Sequence, residues 1–147
     1  MKAETPAVVI DTREQLPYKF GDLPTVVKKL GAGDYSLVGF EDRVAVERKE
    51  MSDAYACVGA SRQRFEACLI RLGALHRAMI VIEASIEEFS KPPTRTVISS
   101  QQAINSYIAW SCTYRIPVLW MPNRAWAERA TLKFLTSYVK HCNGGIS

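Results

Sequence analysis

The chain reads as an α/β domain, a mixed central sheet flanked by helices. Three observations carry that expectation. Short apolar runs at 7–10, 78–83 and 116–120 alternate with longer stretches whose apolar residues recur at helical spacing. Two further strand-like runs, 35–40 and 43–49, are joined only by the polar Glu41-Asp42 turn and read as an antiparallel hairpin, which makes the sheet mixed. A length of 147 residues at 48% hydrophobic is enough for one core and too short for two ordinary domains.

Each element has a local reason. Residues 7–10 are continuously apolar, as in a strand covered on both faces, and break abruptly into Asp11, Thr12, Arg13 and Glu14. After the hairpin, 54–58 reads as a short helix with Ser52 or Asp53 as its N-cap. Residues 61–72 form a second helix with Ser61 as cap and a buried stripe of Phe65, Leu69 and Leu72; Arg62, Arg64 and Arg71 lie largely off that stripe. The strand at 78–83 is followed by a helical turn at 85–89, which Pro92 and Pro93 prevent from continuing. Residues 99–115 are a long helix with Ile104, Tyr107, Ile108 and Ser111 along one side. Pro117 suits an early or edge position in the strand at 116–120, and a last helix runs from a capping Asn123 to Lys140. The expected sheet core is Val8 to Ile10, Leu37, Val44, Val46, 80–82 and 118–120; the domain spans 1–142, with 143–147 a flexible tail.

The hairpin concentrates the chemistry. Side chains alternate faces along a strand, so Glu47 and Lys49 project from one face and Arg48 from the other. Asp34 opens the first hairpin strand and Glu47 lies near the close of the second, so antiparallel pairing sets the two carboxylates side by side. A hard divalent ion such as Mg²⁺ takes oxygen ligands and keeps several waters, so this pair is enough to hold one. An isolated Glu-x-Lys is usually a surface salt bridge worth little, and Asp11 with Glu14 alone would simply begin a loop. Their joint occurrence favours a site.

In order, Ile10-Asp11-Thr12-Arg13-Glu14, Gly33-Asp34-Tyr35 and Val46-Glu47-Arg48-Lys49 with the downstream Asp53 resemble the signature of the XPF family of structure-specific nucleases. That resemblance implies a restriction-endonuclease-like fold and Mg²⁺- or Mn²⁺-dependent cleavage of one strand of branched DNA, at flaps or forks. It implies Asp34 and Glu47 as metal ligands, Lys49 as the catalytic lysine, and Asp11, Glu14, Arg48 and Asp53 as supporting residues of the site. Arg48 is expected to reach back to a site carboxylate through an ion pair. Arg13 is expected to pair with Glu14 or with a DNA phosphate, and Arg62 and Arg64 to contact DNA; Glu66 is either a further site carboxylate or an intrahelical partner. Many XPF-type proteins also carry a helix-hairpin-helix domain, whereas this sequence ends before one, so a nuclease domain standing alone is expected. The aromatic C-terminal helices, with Trp110, Tyr114, Trp126, Phe134, Leu135 and Tyr138, are expected to pair in a homodimer, as the resemblance implies.

Composition agrees with a polyanionic partner. Lys and Arg total 19 against 15 Asp and Glu, and several of those acids are committed to the site, so the remaining surface is more basic than the formal +4. Residues 1–6 lack the apolar segment of a signal peptide and no run approaches a membrane span, so a soluble, cytoplasmic protein is expected, with a bacterial or phage-infected cell suggested by its size. Cys57, Cys68, Cys112 and Cys142 have no Cys-x-x-Cys spacing, and His76 and His141 complete no zinc set, which leaves free thiols. Two other functions fit the residues: a restriction-like endonuclease reading base edges of duplex DNA, and a non-catalytic DNA-binding or partner-docking module.

Overall fold

Alternation along the strands decides which helices cover which face of the sheet. In β4 (Val44–Lys49), Val44 and Val46 point into one apolar cluster and Ala45 into another on the opposite side. The neighbouring β5 (Arg77–Glu83) divides the same way: Ala78, Ile80 and Ile82 join Ala45, while Met79 and Val81 join Val44 and Val46. The Ala45 face is covered by α1 (Met51–Val58), α2 (Arg62–Gly73) and α4 (Ser100–Tyr114), through Tyr55, Phe65, Leu69, Tyr107 and Trp110. The other face is covered by α5 (Arg124–Ser137) and the π-helical turn Tyr138–Cys142 that continues it, through Ala127, Leu135 and Tyr138.

The computed structural model describes residues 5–143. Its remaining elements are β1 (Val8–Ile10), β2 (Thr25–Val27), β3 (Tyr35–Leu37), β6 (Val118–Met121) and the short α3 (Ile86–Phe89). The six strands form one sheet in the order β2-β1-β3-β4-β5-β6. It is mixed, as the hairpin predicts: β3 runs antiparallel to β1 and β4, whereas β1 with β2, and β4 with β5 and β6, are parallel. The parallel pairs require crossovers, supplied by the loop 11–24 between β1 and β2, by α1 and α2 before β5 and by α3 and α4 before β6. No helix among the described residues is long and apolar enough to cross a membrane.

Several local expectations are corrected. The first hairpin strand stops at Leu37 rather than 40, because Gly39 at φ 89° turns the chain and Phe40 accepts the Arg43 and Val44 N–H groups. β2 is not legible in the sequence: its residues are exposed at the sheet edge and carry no alternation. The buried stripe of α4 is Ala103, Tyr107 and Trp110, with Ile108 left 58% exposed, so the helix is rotated relative to the expected face. β6 is an edge strand as Pro117 suggests, but its side chains are only partly covered and Leu119 is exposed. Neither Ser52 nor Asp53 caps α1; the helix begins earlier, with Glu50 at the cap position, and both lie in its first turn. Asn123 does cap α5, accepting the Trp126 N–H at 2.9 Å. Of the expected tail, 144–147 lie outside the described residues.

Candidate active site

Gly33 sets the geometry of the hairpin entrance. It holds φ +79°, and a Cβ there would stand 2.8 Å from the Ala45 Cβ and 3.2 Å from the Val46 carbonyl, so only glycine allows this close approach to β4. Asp34 is thereby locked in place: its N–H donates to the Val46 carbonyl and its own carbonyl accepts the Asp11 N–H, both at 2.9 Å. Its Oδ2 accepts the Arg48 N–H at 2.8 Å. With Tyr35 paired to Val46, Asp34 and Glu47 lie side by side as the hairpin predicts.

The electrostatics show how tightly these acids are gathered. Burial, the charge of Glu47 and, more weakly, that of Glu14 push the Asp34 carboxyl up to about 8, against the pull of the Arg48 N–H and Lys49. Glu47 is 6% exposed, and its Oε2 meets Lys49 Nζ at 2.8 Å on the α2 face of the sheet. Lys49 Nζ also stands 4.9 Å from the centre of the Phe65 ring. Burial works against the ammonium and is the largest single effect, but the charge of Glu47, the hydrogen bond to it and the nearby Asp34 together outweigh burial and hold Lys49 above the usual lysine range. Lys49 is therefore a cation at neutral pH.

The donor set fits a divalent ion. A carboxyl raised to about 8 with a second, buried carboxylate beside it is what a bound cation would satisfy. No group of three or more His, Cys, Asp or Glu among the described residues closes around an ion by itself. Asp34 and Glu47 could hold an ion such as Mg²⁺ that retains waters, which is the two-carboxylate arrangement expected from the sequence.

Behind this pair lies an ion-pair network on the opposite face. Arg48 grips Glu83 through Nε at 2.8 Å and Nη2 at 3.1 Å, and reaches Glu14 and Glu50 at 3.4 Å. Glu83 also accepts the Tyr18 hydroxyl and lies 3.8 Å from Arg124 Nη1. Burial opposes the Glu83 charge, but Arg48 and Tyr18 hold the carboxyl below its usual range. Glu83 is the centre of this network, and the motif does not include it. Its signal in the sequence is the one Asp11 also carries, a carboxylate at the end of a buried apolar strand.

The other expected residues separate into two groups. Glu47, Lys49 and Asp53 line a cleft of about 260 Å³ together with Arg13, Ser61, Arg64 and Arg71. Arg71 stands seven residues, two helical turns, after Arg64 and faces the same cleft. Arg13 pairs with Asp11 at 2.8 Å and not with Glu14 as one reading expected. Asp11 is spent on the loop: one oxygen accepts Arg13 N and Nε, and the other accepts the Leu30 N–H at 2.8 Å. Arg62 faces α4 instead of the cleft, bonded to Glu66 at 3.2 Å and to Ser106, and stacked over Trp110. Glu66 is thus an intrahelical partner. Cys57 and Cys68 also line the cleft, and burial pushes their thiols up, Cys68 to about 12, so both are neutral.

The fold and this motif have counterparts among known proteins. The ERCC4 domain model matches residues 10–132. XPF from Aeropyrum pernix is similar with a TM-score of 0.72 at 20% identity, over 96% of this chain and 68% of that chain. XPF from the same organism in complex with DNA is similar with a TM-score of 0.71 at 21% identity, over 92% of this chain and 66% of that chain. The chain therefore spans about two thirds of the length of these structures, and the likeness establishes the restriction-endonuclease-like α/β fold. No curated protein sequence matches the chain. With the glycine-aspartate turn and the Glu-Arg-Lys strand built into that fold, and with the family model spanning most of its length, the chain belongs to the ERCC4 domain family.

Proposed function

We propose that the chain is a divalent-metal-dependent DNA endonuclease that hydrolyses phosphodiesters at branched DNA. The observation that carries this reading is the pairing of Asp34 with Glu47, where burial and the neighbouring charge raise one carboxyl to about 8 beside a lysine that stays charged. Membership of the ERCC4 family and the likeness to XPF, one structure of which holds DNA, support it. Asp34 and Glu47 would hold Mg²⁺ or Mn²⁺, with the main-chain carbonyl of Arg48 available as a further oxygen. Such an ion supplies polarisation of a phosphoryl oxygen and a more acidic bound water.

The protein's own groups do the rest. Lys49 cannot serve as a base while Glu47 holds its proton in place, so it acts as a fixed positive charge beside the phosphate, where negative charge develops during attack. Arg13, Arg64 and Arg71 line the same cleft and neutralise flanking phosphates. Arg48 touches Glu14, Glu50 and Glu83 instead of the cleft and fixes the strand end that carries Glu47 and Lys49. Asp53 adds a negative charge to the first turn of α1, where the helix dipole favours it.

Labelled flap, fork and linear duplex of matched sequence, incubated with Mg²⁺, Mn²⁺ or chelator, test this reading. Cleavage is expected at the branch with either metal and is lost with chelator. Cleavage that survives chelation removes the metal, and equal cutting of linear duplex favours the restriction-like alternative. A homodimer through the C-terminal helices belongs to the same proposal, although most of the apolar surface that suggested it is used internally. Trp110 and Tyr138 are 4% and 2% exposed, Tyr114 and Phe134 are half-buried, and Trp126, at 49%, is the most exposed of these aromatics. Light scattering at micromolar concentration is expected to give a dimer mass; a monomer of 16.5 kDa sinks it.

A further inference from the structure

The site acids stand at the C-terminal ends of β4 and β5, where Glu47, Lys49 and Glu83 lie. The opposite ends of the parallel strands carry a different set. Arg43 directly precedes β4, Arg77 opens β5, and Arg115, in the left-handed conformation at φ 59° that ends α4, stands three residues before β6. Register brings them together: Val44 pairs with Arg77, the Arg77 N–H donates to the Arg43 carbonyl at 3.0 Å, and Ile80 pairs with Val118.

None of these three guanidinium groups has a carboxylate within ion-pair distance among the described residues, whereas Arg13, Arg48, Lys49, Arg62 and Arg124 all have one. The partners of Arg43 are neutral groups, the Tyr138 hydroxyl at 2.8 Å and His76 Nδ1 at 3.2 Å. His76, Arg77 and Arg115 line a cavity of about 560 Å³ whose walls, among the described residues, include no Asp or Glu. Desolvation and then the charges of Arg77 and Arg43 hold the His76 imidazole below the ordinary histidine range, as a positive local potential requires. Exposed like charges without nearby carboxylates create a positive potential that attracts an anion.

We propose that Arg43, Arg77 and Arg115 form a second nucleic-acid backbone-binding surface, at the end of the sheet away from the Glu47–Lys49 cleft. The arginines are spread over three strands, about 10 Å across at the usual strand spacing, a repeat that suits successive phosphates better than one small anion. Arginine offers a planar fork that fits phosphate oxygens. The six residues of β4 separate this surface from the cleft by about 17 Å, the length of about five base pairs. It would therefore hold a second stretch of the same DNA, such as an arm beyond the branch. The ligand class rests on the proposed DNA-cutting function; the unpaired cationic surface does not.

The test compares wild type, the charge-reversed Arg77→Glu/Arg115→Glu protein and the charge-keeping Arg77→Lys/Arg115→Lys protein on a flap with arms of 20 base pairs. The reversed variant is expected to raise Kd about tenfold and to lower the slope of log affinity against log salt by about 2, while turnover at saturating DNA stays within twofold and the lysine variant stays close to wild type. Both exposed side chains can also be cut back in Arg77→Ala/Arg115→Ala, which keeps the test open if charge reversal disturbs folding. The His76 ring resonances of wild type, followed by NMR as the same DNA is added, give a readout independent of cleavage and are expected to shift. Unchanged affinity and salt slope, a loss of turnover without loss of affinity, or unshifted His76 signals overturn the proposal. If wild type binds DNA with these signatures yet cleaves none, the nuclease reading fails and this surface stands.

Discussion

Asp34→Asn is expected to abolish cleavage and at the same time to stabilise the metal-free protein. The amide keeps an oxygen to accept the Arg48 N–H at 2.8 Å but carries no charge against Glu47 and Glu14. In the native state the Asp34 carboxyl titrates near 8, far above its value in an unfolded chain. Its contribution to stability is therefore complete only below the ordinary carboxylate range and is lost as pH rises through about 8. The variant has no such loss. Its advantage in melting temperature is expected to widen from pH 5 to pH 9, reaching at least about 1 kcal/mol, or about 3 °C for a domain of this size. Added Mn²⁺ is expected to raise the wild-type melting temperature at pH 8 and to leave the variant nearly unmoved. Parallel melting profiles for the two proteins across this pH range, or cleavage that persists in the variant, would remove Asp34 from the metal pair.

Lys49→Ala is expected to lower turnover by about 10² to 10³, the usual consequence of deleting a fixed charge that stabilises a transition state. Affinity for the same DNA is expected to change by less than about threefold, because Arg13, Arg64 and Arg71 still line the cleft. The split between turnover and affinity is the informative part. Lys49 spends its charge on Glu47 at 2.8 Å, so a role in simple DNA attraction would appear as weaker binding instead. A variant that cleaves within tenfold of wild type would show that the lysine is only the counterion of Glu47.

These two residues were legible without tertiary information, and the reason is local. The Tyr35 to Lys49 segment is a hairpin whose contacts close over a few residues, so turn chemistry and alternation were enough to set Asp34 beside Glu47 and Lys49 on the same face. The glycine before Asp34 was visible as part of the motif, but the reason for it, the 2.8 Å approach to Ala45, belongs to the folded hairpin. Arg62 and Arg64 illustrate the limit. They are two residues apart on one helix and equally basic in sequence, yet α4 lies against one and the cleft opens beside the other. The rotation of α4 was missed for a similar reason: several of its faces are apolar, and contact with Phe65, Phe89 and Trp120 selects which one is buried.

By itself, the sequence determined the mixed α/β class, the hairpin, the carboxylate pair and the separation of Arg48 from Glu47 and Lys49, because a period of two is a property of any extended backbone. Only the tertiary structure decided what Arg48 holds and where Arg43, Arg77 and Arg115 gather. Glu83 meets Arg48 from 35 residues away, through the parallel register of two strands joined by helices. Arg43, Arg77 and Arg115 are far apart in the chain and come together because three parallel strands begin at the same end of the sheet. Such registers are set by packing over the whole core, and no short window of sequence contains them.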